Sequence, residues 1–378
     1  MKLQPVAAAS PVICYNTHAV TKYEQENEVM FVKRSVRLFA LCAAIAGGMT
    51  AVETVAAVPV VQVTDLFRPY ADPDDHWDLA CQFALARHRA IDLRGVVIDF
   101  PPPNVGAGQP DIAGVAQLNW ITGLAVPVGV GQPKKGVEAR SGLTLLKNIL
   151  ETAKEPVVLH VVGTCGDIAE AAERWPELFK SKVRAVYLDA GRALETGEHE
   201  YNVALDPLPY AKMFRLPCPV YWMPCFHEAT CKLGRYGTYW IFRQGRLFDG
   251  MKPALLNYFT GVLARRPPTD WLSALKSPVD PKQVAEYGAQ DRNMWCTAGF
   301  LHTAGLTVWS DGTIARLGEK PEKEVFRFVP VEVTCDDKGF TKWTLSSAAG
   351  NRFLFEITDE RNYQEAMTKA LREMMSWL

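Results

Sequence analysis

The sequence predicts an α/β fold: a doubly wound, mostly parallel sheet with a small β-rich C-terminal extension. Three observations lead there. Short, near-continuous apolar runs recur along the chain, as expected of strands buried on both faces. Helical patterns separate them at the spacing of βαβ units. From Phe326 the texture changes to strand-like runs divided by polar turns, and the chain closes on a helical pattern.

In chain order, the first expected strand is Val58–Val63. It ends at Thr64-Asp65, and a loop carrying Asp72, Asp74 and Asp75 leads into a helix through Leu79, Phe83 and Leu85. A second strand, Leu93–Phe100, is stopped by Pro101-Pro102-Pro103. A helix over Gln117–Leu124 precedes a strand at Val126–Val130, and an amphipathic helix follows at Leu143–Ala153. Val157–Val162 is a strand, Asp167–Trp175 its helix, and Val183–Leu188 and Val220–Met223 continue the series. The stretch from His227 to Pro281, rich in Arg, Tyr and Pro, reads as an insertion or lid. After Phe326, three strand-like runs precede a closing helix, Tyr363–Leu378, with Ala366, Ala370, Leu371 and Met374 on one face.

Length and composition bound the function. The 378 residues are 48% apolar, enough for a sizeable core, and the net charge of −1 offers no basic footprint for nucleic acid. Ten Trp and twelve Tyr suit sugar or base stacking, or simply a core. Lys33, Arg34 and Arg37 precede an apolar run from Leu38 to Val52, and Val55-Ala56-Ala57 offers small residues for cleavage. This is the pattern of a signal peptide. Residues 1–57 are therefore read as a leader, with Met30 the true start, and the mature domain as 58–378, exported to the periplasm or outside. The apolar run is short for a spanning helix, so no stable membrane span is expected in the mature chain. Nine cysteines include no Cys-x-x-Cys pair; in an exported protein Cys225–Cys231 is a plausible local disulfide.

The chemistry concentrates where the first strand hands over to its helix. Asp65, Asp72, Asp74 and Asp75 crowd there, and ligands of open α/β sheets bind at the carboxyl ends of strands. Crowded carboxylates repel, and a hard cation such as Ca²⁺ or Mg²⁺ relieves the repulsion. The same residues would also serve as a solvated turn with an Asp helix cap. Further on, Glu200 and Asn202 set a carboxylate beside an amide, a fit to a vicinal diol, although Asp206-Pro207 also satisfies an ordinary turn before a helix.

Taken together, these motifs resemble the inosine-uridine nucleoside hydrolase family, as a divergent branch. Asp65, Asp74 and Asp75 match the family's strand and Asp-rich loop ending in Asp-Asp, with extra residues inserted after the first Asp. Gly163-Thr164-Cys165-Gly166-Asp167 is similar to the family's turn whose backbone carbonyl binds calcium, with Gly166 at the carbonyl position. The run Glu200–Pro207 resembles the segment whose Glu and Asn hold the ribose hydroxyls. The family's late His-Asp pair, general acid and calcium ligand, is replaced by Trp295-Cys296; His302 and Asp291 lie nearby out of register, and Asp99 or Asn104 is placed to stand in for an earlier Gly-Asn.

The resemblance implies a hydrolase that cleaves the N-glycosidic bond of a nucleoside or related compound with a Ca²⁺-activated water. Asp65, Asp72 and His302 would be catalytic, Asp74, Glu200 and Asn202 would bind the sugar, and Asp65, Asp75 and Gly166 would hold the metal. It further implies a small-molecule nucleoside or sugar as partner, and a homo-oligomer. The missing His-Asp keeps a second reading open, a degenerate nucleoside- or sugar-binding protein of the same fold. A phosphohydrolase, with Asp at a strand end holding Mg²⁺, is a third.

Overall fold

The computed structural model describes residues 57–70, 72–99, 109–131, 141–195, 197–267, 269–348 and 350–378. The expected leader with its cleavage site, and Asn104, lie outside them. Fifteen strands follow in chain order: β1 (Val58–Thr64), β2 (Phe67–Arg68), β3 (Ile91–Ile98), β4 (Gln109–Pro110), β5 (Val128–Val130), β6 (Val157–Val161), β7 (Val183–Asp189), β8 (Val220–Met223), β9 (Trp240–Arg243), β10 (Asp291–Met294), β11 (Leu306–Val308), β12 (Ile314–Arg316), β13 (Phe326–Cys335), β14 (Thr341–Leu345) and β15 (Arg352–Ile357).

Nine of them form one sheet, in the order β14-β13-β15-β8-β7-β6-β1-β3-β5. From β5 through β8 to β15 every neighbour pairs in parallel; β13 joins β15 and β14 joins β13 antiparallel. The C-terminal strands are thus the far side of the same sheet. The chain runs outward from β1 through β3 to β5, then returns to β6 on the other flank of β1. That reversal makes a topological switch point between β1 and β6, where a crevice opens beyond the strand ends.

Alternation along the strands sorts side chains between two layers. Val60 of β1 and Tyr187 of β7 face one side; Val61 and Val63, with Val186 and Leu188, face the other. The first face is covered by helices Asp74–Arg87, Ile112–Thr122, Pro253–Leu263, Thr297–Thr303 and Tyr363–Ser376, through Trp77, Leu118, Phe259, Phe300 and Leu371 among others. The second is covered by Ser141–Thr152, Gly166–Arg174, Pro176–Lys182 and Pro207–Met213, through Leu146, Ile168, Phe179 and Met213. The segment from His227 to Pro281 is largely part of the first layer: Trp240, Leu255 and Phe259 lie in that core, and β9 pairs with β10. Among the described residues no helix is long and apolar enough to cross a membrane.

The helix Asp74–Arg87 is built to aim its first turn. Asp74 and Asp75 suit the positive end of the helix dipole and Arg87 the negative end. Its body is buried nearly all round, with Trp77 stacked on Phe259 at 3.7 Å and set edge-on to Phe242 at 5.3 Å. Trp77→Ala, a fully buried truncation, should cost about 3–5 kcal/mol in chemical denaturation. A loss below about 1 kcal/mol, the range of surface substitutions, would show that this helix is not anchored here.

Candidate functional site

The carboxyl ends of β1, β6, β7 and β8, with the residues after β10, enclose a cleft of about 600 Å³. Asp65, Asp72, Asp74, Asp75, Glu200 and Asn202 all line it, together with Asp189, Arg192, Phe226, Trp295 and Cys296. Residues separated by more than a hundred positions therefore meet across one opening, as the switch-point topology requires.

The loop between Asp65 and Asp74 is tied down on the helix side. Phe67 and Arg68 pair with Pro110 and Gln109. Asp111 caps its helix through the Gly114 amide at 3.0 Å, and accepts from Arg68 Nε at 2.8 Å. His76 Nε2 lies 3.0 Å from the same carboxylate oxygen. With three partners, Asp111 holds the loop to two helices and leaves the aspartates to face the cleft. Thr64 Oγ1 donates to Asp75 Oδ1 at 3.0 Å, fixing the first turn of the helix Asp74–Arg87 to the end of β1.

On the other side of the switch point, only glycine fits at position 163. A Cβ there would stand 2.7 Å from Asp99 Oδ2 and 2.9 Å from the Asp65 amide. Asp99, beyond the end of β3, accepts from the Thr164 amide at 2.6 Å and Thr164 Oγ1 at 2.8 Å, which locks the turn after β6. Gly166 is the first residue of the helix Gly166–Arg174 and is not among the residues that line the cleft.

Electrostatics set the aspartates apart from ordinary surface carboxylates. Burial raises Asp65 to about 6, against a lowering hydrogen bond to Asp75. Asp75 is pushed well up by burial and by the charges of Asp65 and Asp74, and Asp74 by burial and by Asp72 and Asp78. A side-chain hydrogen bond between Asp65 and Asp75 requires one of the two to keep a proton. Among the described residues no three His, Cys, Asp or Glu side chains converge as metal ligands. Asp65 and Asp75 are the pair that suits a hard cation, whose remaining positions backbone and water oxygens can fill. Asp72 stands at the rim, half exposed, and accepts from Arg292 Nη1 at 2.9 Å.

Glu200 and Asn202 divide their work. Glu200 caps the helix Tyr201–Leu205, its carboxylate accepting from the Gly191 amide at 3.0 Å, Asn202 at 2.8 Å and Val203 at 3.4 Å. Most of its hydrogen-bonding capacity is spent on backbone. Gly191, at φ +85°, takes the left-handed conformation that brings its amide round to this carboxylate. Asn202 lines the cleft, and its buried Oδ1 has no hydrogen-bond partner among the described residues.

His302 does not line the cleft. The helix Thr297–Thr303 carries it beneath the sheet, where Nδ1 lies 2.6 Å from the Tyr187 hydroxyl and the ring packs on Phe328. Burial lowers its pKa to about 4. Trp295 and Cys296, by contrast, both line the cleft. The cysteines are free thiols: Cys225 is buried with Sγ 3.4 Å from Asp189 Oδ1, while Cys231 is exposed, so the expected local disulfide is not formed. Cys225 stays in the interior because Asp189 and the surrounding core hold it there.

Sequence reading overlooked Asp189 and Arg192. Asp189 is 3% exposed. Cys225 and Thr238 donate to its Oδ1 at 3.4 and 3.5 Å, and Oδ2 has no partner among the described residues. Burial raises it to about 7. Its signal was available: an Asp closing an apolar strand run is placed at the same sheet edge as Asp65. Arg192 lies with its guanidinium over the Phe226 ring at 5.5 Å.

The shift of Asp189 has a signed consequence. In the unfolded chain an Asp releases its proton near pH 4, whereas folded Asp189 holds it to about 7. The folded state binds more protons across that window, so this contribution is complete below the lower value and is lost as pH rises through the upper one. Asp189→Asn, which cannot ionise, should melt higher than wild type at pH 8, with the difference shrinking towards pH 5. Thermal unfolding across that range tests it; a variant destabilised equally at every pH would contradict the assignment.

No protein-family model matches the chain, and no curated protein matches it. Solved structures do. An inosine-uridine preferring nucleoside hydrolase from Bacillus anthracis aligns at 11% identity over 83% of this chain and 100% of its own, with a TM-score of 0.42. An inosine-guanosine nucleoside hydrolase aligns at 12% identity over 85% and 99%, with a TM-score of 0.48. A structure described as an effector protein aligns at 14% identity over 85% of this chain and 95% of its own, with a TM-score of 0.50. At that identity the likeness is one of fold, and the chain shares the α/β fold of this last structure along most of its length.

Proposed function

We propose that the chain is a hydrolase that cleaves an N-ribosyl bond of a nucleoside or related compound with water. The observation that carries this reading is the meeting of Asp65, Asp74 and Asp75 with Asn202 across one cleft at the switch point. A carboxylate group for a water and a directed amide for a diol are what the loss of a base from ribose needs.

Asp65 is the general base: at about 6 it is mostly ionised at neutral pH and still basic enough to take a proton from water. Asp74 and Asn202 orient the sugar hydroxyls, with Asn202 Oδ1 supplying an acceptor not committed to the protein. Glu200 fixes the backbone that presents Asn202. Negative charge around the sugar favours the oxocarbenium-like transition state of glycoside cleavage. A Ca²⁺ held by Asp65 and Asp75 would add Lewis-acid activation of a water and draw the two carboxyls into their ionised forms. Export is proposed with it, so the mature chain from the native host should begin close to Val58 by N-terminal sequencing; intact residues 1–57 on soluble protein would refute this.

A second reading is favoured by one observation. Trp295 and Cys296 line the cleft where the resemblance places a general acid and a metal ligand, and His302 does not. A nucleoside- or sugar-binding protein without turnover would tolerate that exchange. A reducing-sugar assay over a panel of ribosides separates the two: the hydrolase reading expects release, the binding reading expects affinity alone. In either case Asn202→Ala should cost on the order of 1–3 kcal/mol, in kcat/KM or in affinity. Calcium should raise the melting temperature of wild type and not of Asp75→Asn; no rise in wild type would remove the metal from this account.

A further inference from the structure

The cleft is lined both by carboxyls and by aromatic rings. Asp65, Asp74, Asp75 and Asn202 share it with Asp189, which closes β7, with Phe226, which follows β8, and with Trp295, which follows β10. Trp295 packs edge-on to Phe226, centroids 6.0 Å apart at 85°, and tilts against Tyr239 at 5.8 Å. Both Phe226 and Trp295 reach the cleft. One cation already rests on this aromatic wall, the Arg192 guanidinium over Phe226.

Among the described residues, seven carboxyl side chains line the cleft against one guanidinium, that of Arg192. Pairing Asp72 with Arg292 and admitting a divalent cation at Asp65 and Asp75 still leaves carboxyls in excess. The one imidazole lining the cleft, His199, adjoins Glu200 in sequence with its ring against Phe340, and His302 lies beneath the sheet. A neutral purine or pyrimidine departing as its anion must be protonated, which in this cleft would draw on Asp189 or Cys296. A base with a fixed positive charge has no such need. Its delocalised cation is also the ligand that aromatic faces and carboxylates attract. Asp189, which lines the same cleft, 3% exposed and with its Oδ2 unpartnered among the described residues, supplies the counter-charge.

Resting on the hydrolase reading above, we propose that the substrate class is a riboside whose base carries a fixed positive charge, an N-ribosyl pyridinium being the simplest case. The C1′–N bond breaks and its electron pair goes to the ring nitrogen, so the base leaves as a neutral pyridine. The water oxygen bonds to C1′, and its proton passes to Asp65 and then to solvent. No acid is consumed at the leaving group. A cation beside Asp189 also favours its ionised form against the burial that raises it.

The test needs no variant to begin. Full-length protein is titrated by calorimetry with 1-methylnicotinamide, a ring-methylated pyridinium cation, and with nicotinamide, its neutral counterpart. The cation should bind at least about tenfold tighter. Asp189→Asn should shrink that ratio, and Trp295→Ala should weaken cation binding, with circular dichroism confirming that both fold. Turnover is then compared between nicotinamide riboside, inosine and uridine, with kcat/KM highest for the first. Equal affinity for the two nicotinamides, or faster cleavage of inosine or uridine, overturns the proposal while the hydrolase reading stands. Cation preference without sugar release from any riboside supports the recognition proposed here and removes the hydrolase reading instead. Binding of neither compound, with no cleavage of the pyridinium riboside, overturns the proposal.

Discussion

Like charges forced together at the edge of a buried sheet are the constraint on which this molecule turns. Asp65, Asp74 and Asp75 stand where β1 meets its helix, and each is raised by burial. A fold that only needed to be stable would solvate these groups or replace them, since an uncompensated buried charge is among the more damaging features of a core. Here the surroundings keep them in place. Asp111 ties the loop to two helices through Arg68, His76 and the Gly114 amide. Thr64 bonds to Asp75, and Gly163 admits the neighbouring strand end to within contact of Asp65. The scaffold spends specific interactions on holding the carboxyls close, which is the behaviour of a site.

The sheet explains why these groups can be so close without unfolding their neighbours. β1 is central, paired on both sides, and its apolar residues from Val60 to Val63 are wholly buried. The strain of the aspartate cluster is therefore borne at the rim, beyond the last paired residues, while the layers on either side pack around Trp77, Phe259, Leu146 and Phe179. Glu200 works in the same way on the opposite lip. It is buried and yet acceptable because three backbone amides donate to it. Its stiffness is passed to Asn202, whose amide it binds and whose side chain faces the opening.

Much of this was legible in the sequence, and the illegible part has physical reasons. The parallel strands announce themselves because burial on both faces makes them continuous apolar runs, and β1, β6, β7 and β8 fall within a residue or so of their expected limits. Asp65, Asp74 and Asp75 stand out because residue type and strand-end position coincide, and Asn202 because an amide follows a carboxylate; the fold brings all four to one cleft. The layer between His227 and Pro281 was not legible. Its richness in Pro suggests loop, although at the first turn of a helix proline is favoured, and Pro253 begins the helix Pro253–Leu263. The short ribbons β9–β10 and β11–β12 carry too few residues for any periodicity to show. His302 was weighed by its side chain alone, and only the path of its helix reveals that the ring points into an aromatic cluster under the sheet. Asp189 owes its shift to burial, tempered by Cys225 and Thr238, which are remote in sequence and local only in the fold.

The pair Trp295-Cys296 in the cleft lining then has a consequence for charge. A thiol buried this deeply holds its proton, because burial and the neighbouring Asp189 and Asp78 all raise it. Cys296 is therefore a neutral thiol rather than an anion. The cleft is thus lined there by a neutral thiol, a weak proton donor. The wall beside it gains an indole face. A neutral thiol and an indole face leave the positive charge of a bound ligand unopposed, which favours a surface that accepts it. In the reaction proposed above, acid–base work falls to the strand-end aspartates, while recognition of the base falls to aromatic faces backed by a buried carboxyl. Both sets of groups reach one cleft because the strand ends of the sheet and the two residues after the short strand β10 open onto it together.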